Sequence, residues 1–273
     1  MNQRSQSYTL WDSKTLIAEE LRLRLQAEKL FKYEKDSLAS HGLKDGQTIV
    51  DLGCGNGFFL SLIGNAFPNC SLYGADRNSK LLERAQEFCP NAQFITLDLG
   101  NVEELKHKVK EIAPDFVYLR YVLQHMNVAE VSHLMRALSE VVCHVLLIDG
   151  DDREITHLPA NSSVQYLIQK KMERQATLGG DRTVGSRLST ILEEAGFTSV
   201  SETKLRFSSK EMGWESFRDI LYPILRSGLP HDLEAPDAQR VKEAEDWYRN
   251  AFTDPSYTAW FGSIHVSGRA DRE

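Results

Sequence analysis

The stretch TIVDLGCGNGFFLSLIGNAFPNCSLYGADRNS, Thr48 to Ser79, sets an apolar run before a cluster of glycines and a second apolar run, ending on an acid, after it. A strand, a tight turn, a helix and a second strand in that order hold a nucleotide-like ligand at the edge of a parallel sheet. The glycines are Gly53, Gly55 and Gly57. Their G-x-G-x-G spacing differs from the G-x-G-x-x-G of dinucleotide binders. Asp51, at the end of the first strand, sharpens the difference, because a carboxylate repels a pyrophosphate and attracts a cationic group. Asp76 falls at the tip of the second strand, where an acid can accept hydrogen bonds from ribose hydroxyls. Asp98 follows at the tip of the third, placed to reach an adenine amino group. These acids fit an adenosine with a cationic tail, and Asn56 and Arg77 lie in the same two loops.

Working outward, strands are expected at 48–52, 70–75, 92–96, 116–119 and 144–148, with helices between them. Asn101 with Glu104, and Asn127 with Glu130, each place an acceptor three residues before a carboxylate, a helix-start signal. Val131, Leu134, Met135, Leu138 and Val142 repeat along one face of a helix beginning near Val128. Five strand–helix units in succession predict an α/β, Rossmann-like, doubly wound and mostly parallel sheet.

Before this region, Lys14 to Ser40 reads as one helix closed by Gly42, although LRLRL alternates like a strand. After Asp149 come a helical segment containing SSVQYLIQKKMERQATL, the glycine- and charge-rich GGDRTVGSRL, a strand SVSETKLRF, two further helical segments and a final strand YTAWFGSIHVSG. The expected organisation is an N-terminal helical cover over 1–45 and a main domain over 46–273, with covering helical segments at about 155–195 and 208–255. The glycine-rich LGGDRTVG and the N-terminal YTLWD are expected to move and exclude water.

The chain has 273 residues, 41% of them hydrophobic, enough for one large domain. A net charge of -7 disfavours nucleic acid and anionic membrane as partners. MNQRSQSYTL lacks an apolar targeting core, and runs such as VVCHVLLI are too short to span a bilayer, so a cytoplasmic location is expected. Cys54, Cys70, Cys89 and Cys143 match neither a CxxC pair nor a zinc set and read as free thiols. No sequence feature selects an oligomeric state, and a homodimer is compatible with it.

VDLGCGNGFFL, YGADRNS, LDLG and YLRYVLQHM resemble the ordered motifs of the class I S-adenosylmethionine-dependent methyltransferases, and GGDRTVGSRLSTILEEAGF resembles a subgroup acting on small molecules. The resemblance runs from about Leu16 to Ser267. It implies a seven-stranded sheet with the last strand antiparallel, S-adenosylmethionine as cofactor, and a small, partly apolar methyl acceptor in specialised biosynthesis. It further implies that Asp51, Gly53 and Gly55 contact the methionine part, that Asp76 binds ribose, and that Asp98 and Leu99 flank adenine. Two departures stand out. SEVVCHVLLI replaces the usual proline–glycine turn before the fifth strand, and no Pro-Pro-aromatic motif of nucleic-acid amino-methyltransferases follows the fourth.

His125, ending YVLQH, is the candidate general base for an acceptor that arrives protonated; otherwise it caps the next helix. Tyr8 is the candidate aromatic face over the sulfonium, or else a surface anchor. Arg120 and Tyr121 are placed to touch the cofactor's carboxylate or wall its pocket. DGDD, Asp149 to Asp152, reads as a solvated strand end rather than a metal cluster, and Trp214, Trp247, Trp260, Phe217 and Tyr222 either line an apolar cavity or form core. A cofactor-binding protein without chemistry and an NAD-dependent oxidoreductase are the competing functions, the latter opposed by Asp51.

Overall fold

In the computed structural model, which describes residues 13–230 and 233–270, β1 (Thr48–Leu52), β2 (Ser71–Asp76), β3 (Gln93–Thr96), β4 (Phe116–Arg120) and β5 (His144–Asp149) lie parallel in the order β3-β2-β1-β4-β5. Chain order reverses between β1 and β4, and the crevice at that switch point is where such sheets bind ligands. β8 (Thr258–Arg269) runs antiparallel against β5, with β7 (Thr198–Ser208) on its far edge. A three-residue β6 (Thr156–Leu158) extends the β5 side of β8, which makes eight strands where the resemblance implied seven.

Strand alternation builds two cores. Val117, Leu119, Val145 and Leu147 pack with Leu105 of α4 (Val102–Ile112), Leu134 of α5 (Val128–Ser139) and Leu188 of α7 (Leu188–Glu194). Phe116, Tyr118, Leu146 and Ile148 face the other way, onto Leu38 of α1 (Ser13–Ser40) and Leu60 of α2 (Phe58–Ala66). Full burial of each such side chain contributes about 1.5–3 kcal/mol. Asn127 and Glu130 form the expected reciprocal cap, while Asn78 caps α3 (Ser79–Phe88) one way, its side chain accepting from the Lys80 and Leu81 amides. LRLRL is helical, because the apolar face of α1 follows the helical period rather than the strand period.

A third core joins α6 (Ser162–Thr177), α9 (Trp214–Arg226) and α10 (Ala235–Ala251); the short α8 (Ser209–Met212) precedes α9. Of the aromatic residues expected to line a cavity or form core, Phe217 and Trp247 are buried in this core and Trp214 packs against it, while Tyr222 both packs against it and lines a cavity of about 240 Å³ with Arg218 and Phe252. Trp214 meets Trp247 at 5.6 Å and Phe217 at 5.7 Å, and the Trp247 indole donates to the Pro159 carbonyl at 2.9 Å. Trp260 lies under the Arg206 guanidinium at 4.4 Å, and the Tyr222 hydroxyl donates to Glu245 at 2.9 Å. No helix among the described residues is long and apolar enough to cross a membrane. The four cysteines are free.

α1 is fixed across the sheet by polar contacts. Glu34, fully buried, accepts from Arg120 Nε at 3.0 Å and Nη2 at 3.2 Å. One turn on, the Ser37 hydroxyl meets His265 Nδ1 at 2.9 Å, and His41 Nδ1 meets the Ser267 hydroxyl at 2.8 Å. Ser263 completes the row at 2.9 Å from His265 Nε2. Alternate residues of β8 thus present a polar stripe to the helix, while Ile264 and Val266 enter the opposite core.

Burial pushes the Glu34 carboxyl up and Arg120 opposes that rise. Removing one member of such a pair strands the other charge away from water. Glu34→Ala is expected to lower stability by about 3–5 kcal/mol in urea titrations, and Glu34→Leu combined with Arg120→Met to restore most of it. Equal losses in the single and double variants would show that the pair is not the fastening.

Candidate functional site

The site begins where β1 ends. Asp51 is 3% exposed and accepts a hydrogen bond of 2.7 Å from the Tyr118 hydroxyl, which reaches across from β4. Burial raises its pKa to about 7, against the lowering by Tyr118 and by the nearby Arg120. A cation entering beside it would restore the charged form.

The loop after Asp51 turns on three glycines with φ of +86, +56 and +67 at Gly53, Gly55 and Gly57. The Gly53 and Cys54 amides donate to the Ala75 carbonyl at 2.7 and 3.0 Å, so the loop doubles back onto the end of β2. There the Asp76 carboxylate accepts from the Gly55 amide at 3.0 Å and the Asn78 amide at 2.9 Å. A methyl group added to Gly55 would meet no described atom within 4 Å, whereas one on Gly57 would strike Ala85. Asn56 is buried, with its Oδ1 accepting from the Phe58 amide at 3.3 Å and its Nδ2 without a partner among the described residues. An open cradle, a spare donor, the buried Asp51 and the half-buried Asp76 suit a ligand with hydroxyls and a cationic group.

Arg77 and Asp98 are exposed at the adjoining strand tips; Asp98 accepts from the Gly100 amide at 2.9 Å, and Leu99 is buried. A cavity of about 280 Å³ opens beside Leu99, Gly100 and His133.

Arg120 and Tyr121 stand differently from the sequence expectation. The guanidinium is claimed by Glu34 and sandwiched between the Phe59 and Tyr121 rings at 4.1 and 4.6 Å. The Tyr121 hydroxyl is bonded by Glu34 and Ser263. A buried carboxylate on α1, 86 residues away in the chain, has taken the partners that the reading assigned to a cofactor.

His125 closes a 3-10 turn, Leu123–His125, and leaves the helix cap to Asn127. Its side chain is solvent-accessible, yet protein walls it closely. That burial, with the charges of Arg182, Lys171, Arg22 and Arg77, pushes its pKa down to about 3. Gln175 Nε2 lies 3.4 Å from His125 Nδ1. An amide nitrogen only donates, so Nδ1 accepts and the neutral ring keeps its proton on Nε2. In this arrangement the ring presents its Nε2 proton as a donor, and the lowered basicity disfavours capture of a further proton. Tyr8 lies outside the described residues.

The DGDD acids are engaged by protein. Asp149 is 1% exposed and accepts from the Gln124 and Gly150 amides at 3.1 and 3.0 Å; burial raises its pKa to about 7. Asp151 holds Arg153 and Asp152 holds Arg182 through two contacts of 2.7 Å. No group of three or more His, Cys, Asp or Glu among the described residues is placed to hold a metal ion. The LGGDRTVG loop, expected to move, is stitched down: the Asp181 amide donates to the Gln124 carbonyl, the Gly185 amide to that of Gly150, and Asp152 to that of Arg182.

Residues 49–144 match the family model described as a methyltransferase domain. Trans-aconitate 2-methyltransferase of Variovorax paradoxus (strain S110) is 32% identical over 90 residues, 33% of this chain and 33% of that protein, so the match spans a third of the relative's length. Phosphoethanolamine N-methyltransferase 2 of Haemonchus contortus, solved with phosphomonomethylethanolamine and S-adenosylhomocysteine, shares the fold with a TM-score of 0.56 at 13% identity, over 99% of this chain and 59% of that one. A cyclopropane-fatty-acyl-phospholipid synthase-like protein of Lactobacillus casei ATCC 334 does so with a TM-score of 0.57 at 14% identity, over 95% and 94%.

The loop makes its own prediction about folding. Gly55→Ala carries only left-handed strain, about 1–2 kcal/mol. Gly57→Ala adds contacts of 2.7 and 3.0 Å with Ala85, so its loss in urea unfolding should be larger by about 1–3 kcal/mol. Equal losses would mean that α3 yields freely beneath the loop.

Proposed function

We propose that the chain, whose residues 49–144 match a methyltransferase domain, is a class I S-adenosylmethionine-dependent methyltransferase that transfers a methyl group from this cofactor to a small-molecule acceptor at the switch-point crevice. The observation that carries this reading is the pairing of Asp51 and Asp76 across an open glycine cradle. A buried carboxyl facing the loop suits an ammonium and is wrong for a pyrophosphate. The names of the matched relative and of the H. contortus enzyme's ligand support a small acceptor.

When bound, S-adenosylmethionine supplies a methyl group on a sulfonium, with a neutral thioether as leaving group. The residues of the chain have the remaining work. Asp51 takes the cofactor's ammonium, with Tyr118 holding the carboxyl in place. Asp76 keeps the loop folded through two amides and turns its remaining acceptor capacity to the ribose hydroxyls. Gly53, Gly55 and Asn56 form the cradle, and Asp98, Leu99 and Arg77 border the adenosine. Arg120 and Tyr121 act one layer back, through Glu34, by fixing α1. Most of the acceleration then comes from alignment of acceptor and methyl group in a walled site.

Asp76→Ala should weaken S-adenosylmethionine binding about 30-fold or more in calorimetry, since two charge-assisted bonds and a loop anchor go together. An unchanged dissociation constant would remove Asp76 from the site.

Affinity should also depend on pH through Asp51. Between the ordinary carboxyl value of 3.8 and about 7 the folded chain binds more protons than the unfolded one. Unliganded stability from this group therefore falls as pH rises across that window. Cofactor affinity moves oppositely, weakening about tenfold per unit below pH 7. Calorimetry from pH 5.5 to 8 should show this slope and its loss in Asp51→Asn; a flat profile in the parent protein would exclude Asp51 as the ammonium's partner.

A further inference from the structure

The sheet has one long edge that the described residues leave unpaired. β7 is matched to β8 along Ser201–Ser208, opposite Ser267–Trp260, and no described strand lies on its outer side. Every second backbone N–H and C=O of this run points away from the sheet, a row of donors and acceptors that another strand can complete. The edge strands β3 and β6 have four and three residues. β7 has eleven, with Ser201, Glu202, Lys204 and Arg206 exposed, so it is where the sheet has room to grow.

Proteins blunt such an edge with a bulge, a proline or an unanswered charge. The irregularity of β7 is confined to its start, where the register shifts between Thr198 and Ser201 and Ser199 has φ of +51. From Ser201 the strand keeps its register and contains no proline. Its charges alternate in sign along one face. Glu202 accepts from the Ser189 hydroxyl at 2.6 Å, Lys204 lies 3.7 Å from Glu154 and 3.9 Å from Glu202, and Arg206 lies over the Trp260 ring. The lysine contacts are long and exposed, and such pairs hold a side chain weakly. Leu205 and Phe207 face the other way, into the third core.

We propose that β7 is a dimerisation edge, at which a second copy of this chain adds its own β7 antiparallel about a two-fold axis through Thr203. Charge selects this register. With the axis at Thr203, Glu202 of each copy faces Lys204 of the other, and the two threonines face each other, both favourable cross-strand pairs. Moved by one residue, the axis sets Glu202 against Glu202 or Lys204 against Lys204. Residues opposite one another in such a pair share a face of the sheet, so Leu205 and Phe207 remain on the side of their own cores. β7 runs parallel to β1–β5, because β8 is antiparallel to both β5 and β7. The two-fold reverses that direction in the second copy. Two eight-stranded sheets thus become one, with the crevices opening at opposite ends of it. The contact needs neither crevice, and the proposal stands apart from the reading of the reaction.

The test uses the full chain. Analytical ultracentrifugation over a concentration series should show a monomer–dimer equilibrium in the parent. Glu202→Lys and Lys204→Glu each set like charges opposite one another at both symmetric positions. Each should weaken the dimer about tenfold or more, with the far-ultraviolet circular dichroism of the parent. Mixed in equal amounts, the two variants should associate with one another more tightly than either does with itself, because each supplies the charge that the other lacks. The double exchange in one chain should dimerise like the parent. A parent that stays monomeric up to its solubility limit would overturn the proposal. So would a single variant that dimerises as well as the parent, or a mixture that associates no better than its components.

Discussion

Glu34 and Arg120 have been taken out of water together, and the rest of the site is arranged around that fact. Each charge alone would be costly to bury, and a pair of this kind seldom adds net stability over hydrocarbon of the same shape. Its effect is positional. Arg120 ends β4 at the crevice, so the carboxylate that answers it must come to the same point, and Glu34 brings the middle of α1 with it. Phe59 and Tyr121 close over the guanidinium from either side and exclude the water that would otherwise screen the pair. The wall of the crevice that carries Arg22 is set by this contact.

The sheet and the helices divide the chemistry between them. Strand tips supply acids whose spacing is fixed by strand separation, Asp51 and Asp76 on neighbouring strands. The charges that bear on His125 come from α1, α6, the pinned loop and the tip of β2. The two halves meet across β4, where Tyr118 and Arg120, two residues apart, point to Asp51 and Glu34. A ligand with a cationic end and an adenosine would lie along the acids.

Much of this was legible in the sequence because it is local. The apolar runs and their alternation mark β1 to β5, the asparagine–glutamate spacings mark two helix starts, and three glycines behind Asp51 mark the cradle. What was not legible depends on long separation. Glu34 sits among Leu30, Ser37 and His41 on one helical face, so a charge within an otherwise buried stripe was visible, but its partner lay 86 residues on. The same holds for Gln175 and His125, 50 residues apart, whose contact leaves the far ring nitrogen as the donor. The aromatic residues of the C-terminal half were legible as apolar mass, while only the fold shows which of them stack on one another, as Trp214 and Trp247 do, and which border a cavity, as Tyr222 does.

The polar stripe of β8 has a consequence for how α1 can err. A helix laid on hydrocarbon can slip by a turn and find new grease of nearly equal quality. Here a slip of one turn, about 5.4 Å, would carry Ser37 and His41 past His265 and Ser267 and leave several buried donors and acceptors without partners at once. The axial position of α1 is thereby quantised: the helix is either in register or off the sheet, with little in between. Such a contact works as a vernier, transmitting its setting along a rigid rod to side chains several turns away.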